Sequence, residues 1–309
     1  MNYLITFLKG MGMGAADVVP GVSGGTIAFI TGVYDTLLES IRRINPTLIR
    51  YWKKNGFSAT LEYINVKFLI CLLAGILTSV ATLAKLISWL LKVHPIPIWS
   101  FFFGLILVSV LHIAKQINKN NPLLLIGLFI GIALAYSITV LQPLHLSATS
   151  VNIVFAGSIA ICAMILPGIS GSFILLMMGM YATILSAVKD ADVITLSLFA
   201  LGCIIGLLTF SHILSWLLRH ARNFTLTTLT GLMIGTLPKI WPWKETLTWR
   251  INSHGEKVPL LQQNLNPFDY EQITSHSPQL ALAVALMLSA IIFVLALEKF
   301  ATRTTTKHH

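Results

Sequence analysis

The sequence predicts an all-α polytopic membrane protein built as an inverted-topology repeat, with two re-entrant helical hairpins broken at Pro-Gly pairs. Of its 309 residues, 55% are hydrophobic and only 10% are charged, and the mean hydropathy is +0.80. Such values are typical of integral membrane proteins. Several apolar runs approach the roughly 20 residues that a helix needs to cross a bilayer. A short Pro-Gly motif also occurs twice, once in each half of the chain.

The two copies of the motif read DVVPGVSGGT at residues 17–26 and MILPGISGS at residues 164–172. Each copy interrupts apolar sequence with Pro-Gly, and apolar sequence resumes just after Ser-Gly. Four downstream matches keep one constant offset: Gly32 with Gly179, Tyr34 with Tyr181, Thr36 with Thr183, and Leu38 with Leu185. We therefore expect two hairpins, residues 3–38 and 150–187, each made of two half-helices that meet at a polar tip.

Each predicted repeat continues from its hairpin into three transmembrane helices. The first repeat, residues 1–145, has spans near 68–91, 97–114 and 122–141, which follow a basic loop at 41–67. The second repeat, residues 146–309, has spans near 194–218, 224–240 and 279–298, with a polar stretch at 241–278. SWLLK at 88–92 also matches SWLLR at 215–219. Because a hairpin returns to its own side while three spans cross, the second half must be inverted relative to the first.

The distribution of Lys and Arg orients this arrangement. These residues concentrate in 41–67, in the short connections on the same side and near the C-terminus, which places 41–67 and both termini in the cytoplasm and 241–278 outside. The net charge of +10 is thus assigned to topology and anionic lipids rather than to nucleic acid. Residues 41–67 form either a short interfacial helix over anionic lipid or a solvated basic loop. All seven tryptophans lie at segment ends or in loops, which predicts aromatic belts.

The two tips are the predicted anion-binding site. A helix that begins just after Pro-Gly presents unpaired backbone N–H groups and a partial positive charge, and small residues let an anion approach them. Ser23 and Ser170 are suitable N-caps. The predicted anion-binding set comprises these serines and the small or hydroxyl residues that follow them: Ser23, Gly24, Gly25, Thr26, Ser170, Gly171 and Ser172. The alternative is a pair of kinked helices in which the glycines serve packing alone.

Three ionisable residues are candidates for coupling or charge compensation. Asp17 precedes the first tip, whereas Met164 stands at its counterpart position, so Asp17 either couples transport to a proton or sodium ion or caps the tip and pairs with Lys9. Lys85 and His212 occupy equivalent positions in the SWLL alignment. They either face a shared anion, or Lys85 extends to the interface and His212 packs as a hydrogen-bonded core histidine.

The motif sequences resemble those of the PopT-type polyprenyl-phosphate transporter family. The resemblance is carried by GAADVVPGVSGGT at 14–26 with GVYD at 32–35, and by PGISGS at 167–172 with GMY at 179–181, and it covers nearly the whole chain. It implies a flippase that returns undecaprenyl phosphate from the outer to the inner leaflet of a bacterial cytoplasmic membrane. The implied mechanism is alternating access, and the implied role is recycling of the lipid carrier of cell-wall sugars.

Two other classes of function remain as alternatives. A channel or exchanger for a small inorganic anion would also suit opposed helix N-termini, and a closed aqueous pore rather than a lateral opening to lipid would favour it. A membrane enzyme that cleaves a lipid phosphate is disfavoured because G-x-S-x-G, Walker A and H-E-x-x-H patterns are missing. Cys71, Cys162 and Cys203 lie in apolar segments, where they suit packing better than disulfides or metal binding, and we expect no metal or cofactor.

Overall fold

The computed structural model of the chain describes residues 3–19, 22–117, 122–140, 144, 146–251 and 257–305. The described part of the first half contains helices α1 (Tyr3–Asp17), α2 (Gly24–Ile30), α3 (Tyr34–Arg42), α4 (Thr47–Tyr63), α5 (Val66–Val93), α6 (Pro95–Lys115) and α7 (Leu123–Val140). The second half contains α8 (Ser150–Ile165), α9 (Gly171–Met177), α10 (Tyr181–Lys189), α11 (Val193–His220), α12 (Arg222–Thr236), a 3-10 turn (Leu237–Ile240), strands β1 (Lys244–Ile251) and β2 (Lys257–Asn264), α13 (Tyr270–Thr274) and α14 (Leu280–Thr305).

Each predicted hairpin has one more break than we expected. The return limb is not a single half-helix but two short helices, α2 and α3 in the first hairpin, and α9 and α10 in the second. In the second hairpin these two helices are bent by 112°. The break falls at Gly32 (φ +70°) and Gly179 (φ +73°), a left-handed backbone that is strained for other residues. The match between these two glycines therefore marks a shared second bend.

Helix α4 decides between the two interpretations of the basic segment at 41–67. Thr47–Tyr63 is helical, and most of its residues are exposed. Asn45 starts it by accepting a hydrogen bond from the Thr47 backbone N–H at 2.9 Å. A kink at Gly56 (φ 83°, ψ 171°) divides the helix. The segment is helical, so the loop alternative is wrong for these residues, and the position of the helix over anionic lipid stays a prediction.

The predicted spans correspond to helices of unequal length. By length and composition, the described residues contain three stretches able to cross a membrane, Thr47–Val93, Pro95–Lys115 and Val193–His220, and a fourth if the bent pair α9 and α10 counts as one span. Helices α7, α8 and α14 are apolar but shorter over their described parts. The predicted span 224–240 is a 15-residue helix, α12, followed by a 3-10 turn. Its several threonines make α12 less apolar than a lipid-facing span. Most of them are buried against other helices instead of facing lipid.

The helices pack through close backbone contacts between small residues, as in many membrane proteins. The most extensive pairs are α1 with α5, α8 with α11, α6 with α14 and α7 with α12. A Cβ on Gly75 would lie 2.1 Å from the Phe7 carbonyl oxygen, and one on Gly202 would lie 2.1 Å from that of Val154. Cys203 adds to the α8–α11 contact, since its Sγ donates to the Gly157 carbonyl at 3.5 Å. These interfaces hold the hairpins against the long helices.

The segment predicted as a polar stretch at 241–278 departs from the all-α prediction. Its strands β1 and β2 form an antiparallel hairpin with a bulge after Thr246. Trp243 is only 2% exposed, and its Nε1 donates to the Pro278 carbonyl at 2.8 Å. Trp241 Nε1 donates to the Leu265 carbonyl at 2.9 Å. The prediction of an aromatic belt is wrong for Trp243, because this side chain anchors the hairpin to the helix ends instead of facing lipid.

Candidate functional site

The two motif copies contact each other directly. Thr26 Oγ1 accepts a hydrogen bond from the Gly168 backbone N–H at 3.0 Å. The Ser23 hydroxyl lies 3.1 Å from the carbonyl oxygens of both Met164 and Leu166, to either of which it can donate. A Cβ on Gly25 would lie 2.5 Å from the Ile165 carbonyl oxygen. The start of α2 is thus built against the backbone of the second motif.

Tyr34, which matches Tyr181 in the second copy, adds a further link between the two copies. Its side chain is 2% exposed, and its hydroxyl donates to the Ile165 carbonyl at 3.2 Å. Its ring also packs at 4.9 Å, between centroids, against that of Phe29. Pro20 and Gly21 of the first motif lie outside the described residues. From Val22 onward, the first tip belongs to one hydrogen-bonded centre with the second.

At the first tip, the protein's own groups occupy the helix N-terminus. Asp17 Oδ1 accepts from the Gly24 backbone N–H at 2.7 Å, and Ser23 Oγ accepts from the Gly25 N–H at 3.1 Å. Ser23 is therefore the N-cap that the sequence predicts, and Asp17 is a cap as well. Every residue from Val22 to Ile30 is buried. An external anion reaches these N–H groups only if Asp17 withdraws.

The expected pairing of Asp17 with Lys9 is wrong. Lys9 Nζ donates instead to the Thr31 carbonyl at 2.6 Å, which lies after the C-terminus of α2. A cation at the end of a helix is favourable because the last carbonyl groups carry partial negative charge. Asp17 consequently compensates the partial positive charge at the N-terminus of α2, and Lys9 compensates the partial negative charge at its C-terminus.

The second tip is more accessible than the first. Ser170 stands at the N-cap position of α9 but makes no cap hydrogen bond, and its Oγ lies 2.9 Å from Ser172 Oγ. Gly171 is half-buried and Ser172 is exposed. Because Met164 replaces the aspartate of the first copy, no carboxylate stands at the corresponding place. Of the seven predicted site residues, Ser172 is therefore exposed and Gly171 is half-buried, whereas Ser170 and the four residues of the first tip are buried.

A narrow crevice runs beside the second tip. It is lined by residues of α7, of the second motif and of the segment after α12: Ala135, Ile138, Thr139, Gly168, Ile169, Ser170, Phe173, Thr236 and Lys239. Lys239 Nζ lies 4.7 Å from the centre of the Phe173 ring. Lys244 Nζ donates to the Lys239 carbonyl and lies 4.4 Å from the centre of the Trp99 ring. Burial, and then the neighbouring Lys239 ammonium, lower the pKa of Lys244 to about 7.

The sequence motifs gave no sign of these two lysines, since both lie beyond the last residue of α12, outside either tip. The one available signal was the internal alignment. At the offset that pairs Ser88 with Ser215, Lys239 corresponds to His112, so a basic or ionisable residue stands at this place in both halves.

The structure does not bring Lys85 and His212 to the tips. Lys85 is exposed on α5, whereas His212 is half-buried on α11 with Nδ1 2.7 Å from the Leu208 carbonyl of its own helix. In the described part of the chain, no hydrogen bond or ion pair joins the two residues. Neither lines the crevice. The geometry favours the alternatives of a surface lysine and a hydrogen-bonded histidine.

Polar contacts connect the first hairpin to the second half at the far end of α3. Glu39 is paired with Arg42 at 2.5 Å and accepts from the Ser215 hydroxyl of α11 at 3.5 Å. Asp35 lies 3.5 Å from Arg222 at the start of α12. These contacts hold α3 against α11 and α12, at the end of α12 opposite to the crevice.

Fold and site together define a multi-pass helical membrane protein in which two broken hairpins share one polar centre. A family profile described as VCA0040-like, undecaprenyl phosphate translocase-like, matches residues 13–258. The chain belongs to this family.

Two curated relatives agree with the family assignment. A polyprenyl-phosphate transporter of Vibrio cholerae serotype O1 is 66% identical over 303 residues, which is 98% of both chains. A polyprenyl-phosphate transporter of Staphylococcus aureus is 33% identical over 256 residues, covering 77% of this chain and 86% of the relative. No solved structure matches the chain.

The contact between the tips predicts a stability effect at Thr26. Thr26→Val keeps the shape of the side chain but leaves the buried Gly168 N–H without its acceptor, which costs about 1–3 kcal/mol. Thr78→Val is the matched control, because the exposed Thr78 hydroxyl bonds only the Ala74 carbonyl of its own helix. Thermal unfolding of the purified protein in detergent should show a clear loss for Thr26→Val and little change for Thr78→Val. Equal midpoints for both variants would contradict the hydrogen-bonded centre.

Proposed function

We propose that the protein is a transporter, not an enzyme, that returns undecaprenyl phosphate from the outer to the inner leaflet of a bacterial cytoplasmic membrane. The observation that carries the proposal is the polar centre shared by the two motifs, with the exposed Ser172 at the second tip and a narrow crevice lined by Ser170 and Lys239 beside it. The names of both curated relatives support a polyprenyl-phosphate substrate. Recycling of this lipid carrier for cell-wall synthesis would be the physiological role.

The phosphate head binds first at the second tip, where Ser172 is exposed and Gly171 is half-buried, and Ser170, only 6% exposed, completes the contact from beneath. A phosphate monoester needs several hydrogen-bond donors when it leaves water, and hydroxyl and backbone N–H groups supply them without a fixed counterion. The apolar tail needs no such site and stays among the lipid-facing helices. Ser23, Gly24, Gly25 and Thr26 complete the phosphate site when Asp17 leaves the Gly24 N–H.

Transport proceeds by alternating access between two inverted repeats, residues 1–145 and 146–309. The packing supports such a duplication, because α1 pairs with α5 as α8 pairs with α11, and α6 pairs with α14 as α12 pairs with α7. Inverted repeats that rock around a fixed mid-membrane site are common in secondary transporters. The polar contacts of α3 with α11 and α12 lie at one end of the bundle and the crevice beside the second tip lies at the other, so a rocking motion would break one set of contacts as it widens the other side.

The proposed function is tested by leaflet-resolved transport in proteoliposomes. Purified protein should move labelled undecaprenyl phosphate between leaflets faster than protein-free liposomes do, and it should not take up inorganic phosphate. Imposed proton and sodium gradients then identify the coupling ion. Uptake of inorganic phosphate without lipid movement would replace the proposal with a small-anion channel or exchanger, and failure with both substrates would refute it.

The topology proposal places both termini and α4 in the cytoplasm and the β1–β2 hairpin outside. In a background with Cys71, Cys162 and Cys203 replaced by alanine, Gln263→Cys in β2 should react with a membrane-impermeant maleimide in intact cells. Lys53→Cys in α4 is the control and should react only after the cells are permeabilised. Both positions are exposed, so accessibility does not confuse the result. The reverse pattern of labelling would invert the orientation, and labelling of both from outside would end the inverted-repeat proposal.

Asp17 is proposed to couple transport to a proton or sodium ion. Its carboxylate occupies the Gly24 N–H, so neutralising it would weaken this contact and free the donor for phosphate. Asp17→Asn separates the two roles, since an amide oxygen still accepts from Gly24 but the side chain no longer titrates. We expect Asp17→Asn to insert and fold normally while the dependence of transport on pH or on the ion gradient is lost. A profile identical to that of the wild type would leave Asp17 as a structural cap.

A further inference from the structure

Lys239 is a cation at the crevice that no carboxylate of the described residues pairs with. It lies in the 3-10 turn after α12, and its side chain lines the crevice together with Ser170 and Thr236. Its ammonium contacts the face of Phe173. Within the described residues, neither Lys239 nor Lys244 forms an ion pair with an aspartate or glutamate. A partly buried cation that lacks a carboxylate partner carries a desolvation cost, which a bound anion would offset.

Lys244 fixes the position of Lys239. It donates to the Lys239 carbonyl and rests on Trp99 of α6, so it ties the turn to the helix bundle. The neighbouring Trp243 is buried against Ile96 and anchors the start of the β-hairpin. The turn that carries Lys239 is therefore rigidly supported, and its side chain is directed along the crevice toward the ring of Phe173.

The equivalent position in the first half supports a role shared by both sides. His112, which corresponds to Lys239 in the internal alignment, lines a cavity of about 300 Å³ between α6 and α14. That cavity lies toward the opposite end of the bundle, where Lys115 ends α6. An alternating-access transporter needs an anion-attracting residue at each entrance, and these two positions fit that need.

We propose that Lys239 contacts the phosphate of the substrate lipid as it enters from the outer leaflet and delivers it to Ser170 and Ser172. This inference rests on the proposed function and names the residue that supplies the charge recognition. Neither tip motif contains an Arg or Lys, so the tips alone hold phosphate with neutral donors. Lys239 adds the positive charge that distinguishes a lipid monophosphate from an uncharged prenyl alcohol of the same length.

The test measures binding of farnesyl phosphate, farnesol and inorganic phosphate to the purified full-length protein. Lys239→Met should weaken farnesyl phosphate binding about 10- to 100-fold, the range for losing a charge-assisted contact, and leave farnesol binding unchanged. Lys239→Arg should restore most of the affinity because it keeps the charge. Lys189→Met is the matched control, since Lys189 is an exposed lysine at the end of α10 that does not line the crevice, and it should bind as the wild type does. Thermal unfolding checks that each variant is folded.

Each other outcome overturns a defined part of the inference. Wild-type affinity for farnesyl phosphate in folded Lys239→Met, or equal losses in Lys239→Met and Lys239→Arg, would remove Lys239 as the phosphate contact. Tight binding of inorganic phosphate that falls by the same factor would replace the lipid by free phosphate as the ligand. A wild-type protein that binds no farnesyl phosphate would refute the proposed function itself, a result distinct from a failure of Lys239 alone.

Discussion

The structure depends on how it satisfies the backbone where helices break inside a membrane. In hydrocarbon an unpaired N–H or C=O group costs several kcal/mol, so broken helices persist only where protein or a wet cavity supplies partners. Here side chains of the first motif supply partners to the backbone of the second, while Asp17 and Ser23 cap the first break itself. Thr26 of the first motif pairs with the Gly168 N–H of the second, and the hydroxyl of Ser23 lies at the carbonyls of Met164 and Leu166. A polar centre in the middle of an apolar bundle follows from this pairing.

The two tips are alike in sequence but differ in their electrostatics. The first carries its own anion, Asp17, and is buried, whereas the second has Met164 at that place and an exposed Ser172. A carboxylate bound to Gly24 imitates the phosphate that the tip is proposed to bind. The asymmetry suits a transporter, because a site that is always open on both tips would bind its substrate too well to release it.

The sequence predicted those features that depend on local chemistry. Ser-Gly after Pro-Gly identified the helix starts, and the long apolar runs identified most of the long helices. In the sequence, Gly32 and Gly179 stood out only because they occupy matching positions of the two copies. The second break there could not be predicted, since a glycine in an apolar run does not reveal its φ angle. The prediction treated both tips alike. The burial of residues 22–30 arises from tertiary packing, which the sequence of the motif does not reveal.

Residues distant from the motifs were harder to predict. Lys85 and His212 align with each other, but an alignment gives no information on which face of a helix points to the tips. Lys239 lines the crevice from the 3-10 turn, and Lys244 of β1 supports that turn only because the β-hairpin packs against the helix ends. The hairpin strands are short and interrupted by a bulge, so their alternating pattern was too weak to predict from sequence.

The location of the phosphate is the most direct test of the claim that the tips form one substrate site. An electron cryo-microscopy structure of the protein in nanodiscs with bound short-chain polyprenyl phosphate would show it. The account predicts phosphate density within hydrogen-bonding distance of the Ser170 and Ser172 hydroxyls, with the tail leaving through the side of the bundle. Phosphate density away from both motifs, for example beside Lys85 on the outer surface of α5, would contradict it.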